Sequence, residues 1–143
     1  MEKAIINWYI QENNDYVQDS DFYLGTFTSD SAIQIVLQVW NNRYGSTELE
    51  SIENARLALS FDSLEDSALL NYCTVICENS KKQIDIEAGR GIIEIGMLSG
   101  QPNDGTDTAK NRDNFKNINI TFDKFPGTLK NGLKNLYINI EDD

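Results

Sequence analysis

The sequence contains no histidine, only two cysteines and only two prolines among its 143 residues. Without histidine the chain lacks the most frequent general base, the commonest zinc ligand and every catalytic triad that uses an imidazole. It also has no glycine-rich phosphate loop before a helix, no serine elbow and no lysine in an apolar setting. We therefore expect a protein that is not an enzyme and that uses no cofactor and no metal ion.

Positive charge is also scarce, because 12 lysines and arginines stand against 23 acidic residues and leave a net charge of −11. Such a chain repels nucleic-acid phosphates and anionic membrane surfaces, so neither is an expected partner. No apolar run is long enough to cross a bilayer, and the N-terminus lacks the pattern of a signal peptide. One use of the acidity stays open, in which the protein mimics DNA and inhibits a host enzyme.

The two cysteines, Cys73 and Cys77, lie four positions apart. On a strand they share one face at a separation of about 13 Å, which is too far for a disulfide. There is no second cysteine pair to complete a zinc site. We expect both to be small buried apolar residues in a reducing compartment.

Strict alternation of apolar and polar residues dominates the rest of the chain and predicts β-strands. Four segments are clear and five are weaker, and no segment has the pattern of a long amphipathic helix. About nine short strands without helices between them predict an all-β fold: a single antiparallel β-sandwich of residues 1–143, immunoglobulin-like or jelly-roll-like. The predicted strands are 4–10, 22–27, 33–40, 56–61, 69–77, 83–87, 92–98, 117–122 and 135–140.

Turn residues agree with this interpretation at 41–46 and 88–91, and residues 63–67 predict one helical turn capped by Ser63. Two long polar segments, 11–21 and 99–114, exceed the usual length of a connection within a domain. They are either flexible excursions or contacts with a partner chain.

Asn103, Asp104 and Asp107 lie close together in the second of these segments, and hard cations bind clustered oxygen ligands. The spacing does not fit a calcium-binding EF-hand loop, because Gly105 comes too early and the twelfth position is Asn114. A turn is the favoured interpretation, and an adventitious Ca²⁺ site stays open.

Aromatic residues concentrate in the first third of the chain. Trp40 and Tyr44 flank an Asn-Asn turn and could stack against a sugar, as exposed aromatic rings do in carbohydrate-binding sandwiches. Together with Tyr16 they are equally suited to anchor a protein partner, since aromatic residues are enriched in interfaces. Both a surface glycan and a protein are therefore candidate partners.

Residues 57–68, followed by Tyr72 and Cys73, combine alternating apolar residues with a one-turn acidic corner. This stretch resembles the strand–turn–strand corner of immunoglobulin variable domains. It departs from that family at Asn71, which occupies the place of the corner tyrosine. The resemblance implies an immunoglobulin-like sandwich.

The Asn-, Asp- and Ile-rich composition and the segments 39–45 and 132–138 are similar to small structural proteins of bacteriophages. This resemblance implies a virion structural or accessory subunit, made in the cytoplasm of the bacterial host, that contacts other virion proteins or copies of itself. The alternatives are a carbohydrate-binding module and a DNA mimic. The residues predicted to contact the partner are Tyr16, Trp40, Tyr44, Asn103, Asp104 and Asp107.

Overall fold

The computed structural model of the chain describes residues 1–10, 15–17, 21–27, 32–62, 64–123 and 132–142. The described part contains eleven strands and two 3₁₀ helices. The strands are β1 Ile6–Ile10, β2 Asp15–Val17, β3 Asp21–Phe27, β4 Ile33–Asn41, β5 Ile52–Phe61, β6 Cys73–Cys77, β7 Ser80–Lys82, β8 Asp85–Glu87, β9 Arg90–Leu98, β10 Phe115–Phe122 and β11 Gly132–Asp142. The 3₁₀ helices are Leu64–Tyr72 and Ala109–Asn111.

The strands form two sheets in which every pair is antiparallel. The six-stranded sheet has the order β2-β1-β4-β10-β6-β7, and the five-stranded sheet has the order β3-β11-β5-β9-β8. The predicted all-β antiparallel sandwich is confirmed. Each of the nine predicted strands overlaps a strand of the structure, and the two that the prediction missed, β2 and β7, are three residues long.

The eight longer strands alternate between the two sheets along the chain. Each connection between them therefore crosses from one sheet to the other, and the hairpins β1–β2, β6–β7 and β8–β9 only add short edge strands. Immunoglobulin sheets contain strands that follow one another directly, whereas jelly rolls place most consecutive strands in opposite sheets. The connectivity therefore has the jelly-roll character of the two predicted alternatives.

The core lies between the sheets and consists of the alternate apolar residues of each strand. Burial of one face explains the period of two, since successive side chains point to opposite sides of a sheet. Side chains that are completely buried in this core include Leu37, Val39, Leu57, Leu59, Val75, Ile93, Leu98, Ile120, Leu136 and Ile138.

The segment between β5 and β6 corrects the predicted strand 69–77. The 3₁₀ helix Leu64–Tyr72 occupies its first part, and the strand begins only at Cys73. The consecutive residues Leu69 and Leu70 are both buried in the core, which a helical segment achieves while it carries the chain from one sheet to the other. The predicted single helical turn at residues 63–67 is thus the beginning of a longer 3₁₀ helix, Leu64–Tyr72. Ser63, the predicted cap, lies outside the described residues.

Both cysteines lie on β6 as free thiols, Cys77 buried and Cys73 partly buried against the core. Burial raises the pKa of the Cys73 thiol to about 12 and also raises the pKa of the Cys77 thiol. They are therefore small apolar core residues, as predicted, and poor nucleophiles.

Candidate functional site

One end of the sandwich carries the two long connections 42–51 and 99–114. The first leaves β4 and packs against the N-terminal residues, and the second joins β9 to β10 and packs against the first. The amide of Glu50 donates to the carbonyl of Glu2 (2.8 Å), and the amide of Leu49 donates to that of Gly100 (2.9 Å). We refer to this region as the loop end.

Buried asparagines hold the loop end together. The Nδ2 group of Asn114 donates to the carbonyls of Asn41, Ser99 and Gln101 at 3.3, 2.9 and 2.9 Å. The Nδ2 group of Asn42 connects the two loops, because it donates to the carbonyls of Thr47 and Gly100 at 2.9 and 2.8 Å. One primary amide satisfies several backbone carbonyls that the strands leave unpaired, so asparagine is well suited to brace loops.

A second set of contacts is made by Asn41, at the end of β4, and by Asn111, within 99–114. Asn41 Nδ2 donates to the carbonyls of Glu50 and Leu98, and Asn41 Oδ1 accepts the amide of Ile5. Asn111 Nδ2 donates to Asp104 Oδ1 at 2.6 Å and to the carbonyl of Thr106 at 2.7 Å. The segment 99–114 is thus fixed by hydrogen bonds along its length.

Two of the predicted contact residues serve this internal network. Asn103 Oδ1 accepts the amides of Tyr44 and Gly105 at 3.0 and 2.9 Å. The Asp104 carboxylate pairs with Lys110 and accepts from Asn111 and Thr106, and these contacts hold its pKa below the ordinary value.

The segment is therefore a turn, as the favoured interpretation predicted. The described residues contain no group of three or more acidic or cysteine side chains arranged to hold a metal ion. Of the three predicted residues in this loop, Asp104 and Asp107 are exposed and Asn103 is partly exposed.

Arg43 and Tyr44 form a rigid corner beside this turn. The Arg43 guanidinium lies 4.3, 4.7 and 5.1 Å from the ring centres of Tyr9, Trp40 and Tyr44, and its Nε donates to the carbonyl of Gly105 at 3.0 Å. Tyr44 nevertheless stays 64% exposed. A cation among three aromatic rings is a favourable arrangement, so the corner presents a fixed aromatic side chain to solvent.

Trp40 requires a correction, because its exposed fraction is 0%. Its ring stacks on Phe115 with the centres 4.5 Å apart, and its indole N–H donates to Gln38 Oε1 at 2.6 Å. A ring so enclosed is neither an exposed anchor nor a sugar-stacking platform. Tyr16 lies on β2 with its Cα paired to that of Tyr9, and its side chain lies outside the described part, as does most of 11–21.

The outer face of the four central strands of the six-stranded sheet is uncharged. Register and alternation place twelve described residues of β1, β4, β10 and β6 on it, and none is ionisable at neutral pH. They are Asn7, Tyr9, Gln34, Val36, Gln38, Trp40, Thr74, Ile76, Phe115, Asn117, Asn119 and Thr121. We call this surface the amide face.

The outer face of the five-stranded sheet is different, because it carries ion pairs. Arg90 binds Glu141 through two contacts of 2.9 and 3.1 Å, and Arg56 lies 4.0 Å from Glu87. The two outer faces therefore differ sharply in charge on a chain of net charge −11.

Comparisons with protein-family models, with curated protein sequences and with solved structures find no match to this chain. No helix in the described ranges is both long and apolar enough to span a membrane.

The residues that the sequence interpretation missed are Arg43, Gly105, Asn117 and Asn119. A signal for the last two was present, since β4 and β10 alternate apolar residues with Gln, Asn and Thr where a solvated strand usually carries charges. Nothing in the sequence indicated that Arg43 lies over three rings.

Proposed function

We propose that this chain is a non-catalytic assembly domain that binds another protein through its loop end. The contact surface consists of Tyr44 with the neighbouring exposed part of the segment 99–114, including Asp107. The single observation that carries the proposal is Tyr44, an aromatic side chain that is largely exposed and yet held on several sides.

Exposed aromatic residues on rigid supports are typical of binding hot spots. Tyr44 has a positive φ of 62°, its amide is bound by Asn103, and its ring packs against Gly105 so closely that a Cβ there would lie 2.0 Å from Cε1. A partner that binds this ring would lose little conformational entropy, because the loop is ordered beforehand. The hydrogen bonds of the buried asparagines Asn42 and Asn114 support the same conclusion, since they fix the loops that carry this surface.

The setting that we propose is a bacteriophage virion, with other virion proteins or further copies of this chain as partners. Its support is the resemblance of the sequence to small phage structural proteins. The DNA-mimic alternative is less favoured, because mimicry needs acidic residues concentrated on one surface. Here two acidic residues pair with arginines, Asp104 pairs with Lys110, and the amide face carries no charged residue.

The test is mass spectrometry of native assemblies that contain the chain, first unaltered and then with Tyr44→Ala. We expect co-purification with capsid or tail proteins at fixed stoichiometry, and weakening by about tenfold or more in the variant, as a hot-spot aromatic predicts. Ile86→Ala is the matched control, because Ile86 is also an exposed apolar side chain (49%) but lies on β8, in the other sheet. A chain recovered only as a free monomer, or equal weakening by both variants, would contradict the proposal.

A further inference from the structure

Two amides project from the central strand of the amide face towards solvent. Asn117 Oδ1 accepts Gln38 Nε2 at 2.9 Å, and Asn119 Oδ1 accepts Gln34 Nε2 at 3.2 Å. In both, the oxygen is engaged by a glutamine of β4. The Nδ2 groups of Asn117 and Asn119 donate to no group in the described part of the chain, so both are available to a ligand.

The buried tryptophan fixes the orientation of the first amide. An indole N–H can only donate, so the atom of Gln38 that it contacts must be the carbonyl oxygen. The other end of Gln38 is then the NH₂ group, and the atom of Asn117 that receives it must be Oδ1. Trp40 thus determines that Asn117 presents a hydrogen-bond donor to the outside.

A shallow depression of 350 Å³ lies over these amides, lined by residues that include Val36, Ile76, Asn117 and Asn119. Its volume is at the lower end of ligand sites, which span about 300–1,000 Å³. Val36 and Ile76 flank Asn119 in one row across three strands. The depression therefore combines two apolar side chains with two amide donors about 7 Å apart, the repeat of alternate strand residues.

Charge decides which class of ligand fits. No lining residue is ionisable, and the adjacent hairpin carries one acidic residue, Glu78, and two basic residues, Lys81 and Lys82. The net charge of −11 disfavours an anion. A neutral polyhydroxylated molecule offers oxygens to the donors and C–H groups to the aliphatic side chains.

We propose that the depression between Val36 and Ile76 binds a neutral oligosaccharide through the Nδ2 groups of Asn117 and Asn119. This site is distinct from the loop end, so it goes beyond the protein-binding function proposed above.

A second copy of the chain is a less suitable occupant. A strand spacing of about 4.8 Å and a side-chain repeat of about 6.7 Å give roughly 30 Å² per outward residue. The twelve residues of the amide face then offer roughly 400 Å², about half of what each partner contributes to a standard interface.

The test uses the full chain labelled with ¹⁵N and titrated with neutral trisaccharides built from glucose, galactose, mannose or N-acetylglucosamine, with a sialylated trisaccharide as the anionic arm. We expect a neutral trisaccharide to shift the side-chain NH₂ signals of Asn117 and Asn119. Asn117→Asp keeps an oxygen for Gln38 and removes the donor, so it should weaken binding at least tenfold. Asn139→Asp, the same change on the outer face of the five-stranded sheet, should leave binding unchanged.

Trp40→Phe provides the test of orientation. It removes the indole donor, frees Gln38 to turn, and should weaken the same trisaccharide severalfold while the chain remains folded by thermal unfolding. If Trp40→Phe unfolds the chain, Asn117→Asp decides, because Asn117 lies at the surface. The proposal is overturned if no neutral trisaccharide shifts these signals, if only the sialylated one does, if Asn117→Asp binds normally, or if the signals shift with protein concentration alone.

Discussion

Gly105 is a position in the loop end where a single methyl group meets both a left-handed backbone conformation and a neighbouring aromatic ring. Its φ of +77° lies in the left-handed region, and a Cβ there would stand 2.0 Å from Tyr44 Cε1. Gly105→Ala therefore adds backbone strain and forces the Tyr44 ring to move. The ring can move because Tyr44 is largely exposed, so the chain should fold with the ring displaced from Arg43.

The loss of stability expected for Gly105→Ala has two contributions. An alanine at this φ costs about 1–2 kcal/mol. Loss of the Arg43–Tyr44 contact, which is 5.1 Å from cation to ring centre, adds about 0.5–1 kcal/mol. Gly96 isolates the first contribution, because its φ is +88° and a Cβ there meets nothing within 4 Å. Gly96→Ala should therefore cost about 1–2 kcal/mol, and Gly105→Ala about 1.5–3 kcal/mol.

Chemical denaturation of both variants, each with and without Tyr44→Ala, measures the difference as a double-mutant cycle. We expect Tyr44→Ala to abolish the extra cost of Gly105→Ala and to leave the cost of Gly96→Ala unchanged. The reasoning is refuted if the two alanine variants are equally stable, or if the extra cost survives the removal of the ring.

Three further predictions concern the hydrogen bonds of Asn114, the carboxylate of Asp104 and the thiol of Cys73. Asn114→Ala should destabilise the chain by about 2–4 kcal/mol in denaturant titrations, since it deprives three carbonyls of a buried donor; a loss as small as that of exposed Gln101→Ala would contradict this. The pKa of Asp104 is lowered from its ordinary 3.8 mainly by Lys110, so its stabilisation is present above about pH 4 and is lost as pH falls further. Asp104→Asn should accordingly flatten the acid side of the melting-temperature profile, and an unchanged profile would count against the ion pair. With the pKa of Cys73 raised from 9.0 to about 12, the native thiol should be alkylated by iodoacetamide about a thousandfold more slowly than in denaturant, and rapid native labelling would show that the thiol is accessible.

Much of the fold was predictable because a strand with one buried face has apolar residues at alternate positions. The alternation of Ile118, Ile120 and Phe122 with Asn and Thr identifies β10 without any knowledge of its neighbours. The sheet order was not predictable, since the same alternation fits any partner strand. Leu69 and Leu70 misled the prediction because a buried 3₁₀ crossing and a strand both look apolar over so few residues.

The candidate surfaces were predicted less well, because they depend on contacts between distant parts of the chain. Tyr44 was predicted as an anchor, and its exposure agrees with that role, whereas Trp40 was assigned the same role and is buried. Both are aromatic residues beside one turn. They differ in exposure because Trp40 stacks on Phe115, which lies 75 positions later in the chain. Asparagines in 99–114 similarly indicated polarity and gave no sign of which backbone carbonyls they bind.

Strand β4 connects the two proposed binding surfaces, and this connection has a measurable consequence. The Arg43 guanidinium lies over the Trp40 ring, the Trp40 indole donates to Gln38, and Gln38 donates to Asn117. Displacing Tyr44 by Gly105→Ala should shift Arg43, and through the indole should alter the orientation of the Asn117 amide. We expect the side-chain NH₂ signal of Asn117 to move in ¹⁵N spectra of Gly105→Ala and to stay in place in Gly96→Ala, which alters the backbone of the other sheet. Since coupling requires groups that change together and spatial proximity alone does not establish it, an unmoved Asn117 signal in Gly105→Ala would mean that the loop end and the amide face bind their partners independently.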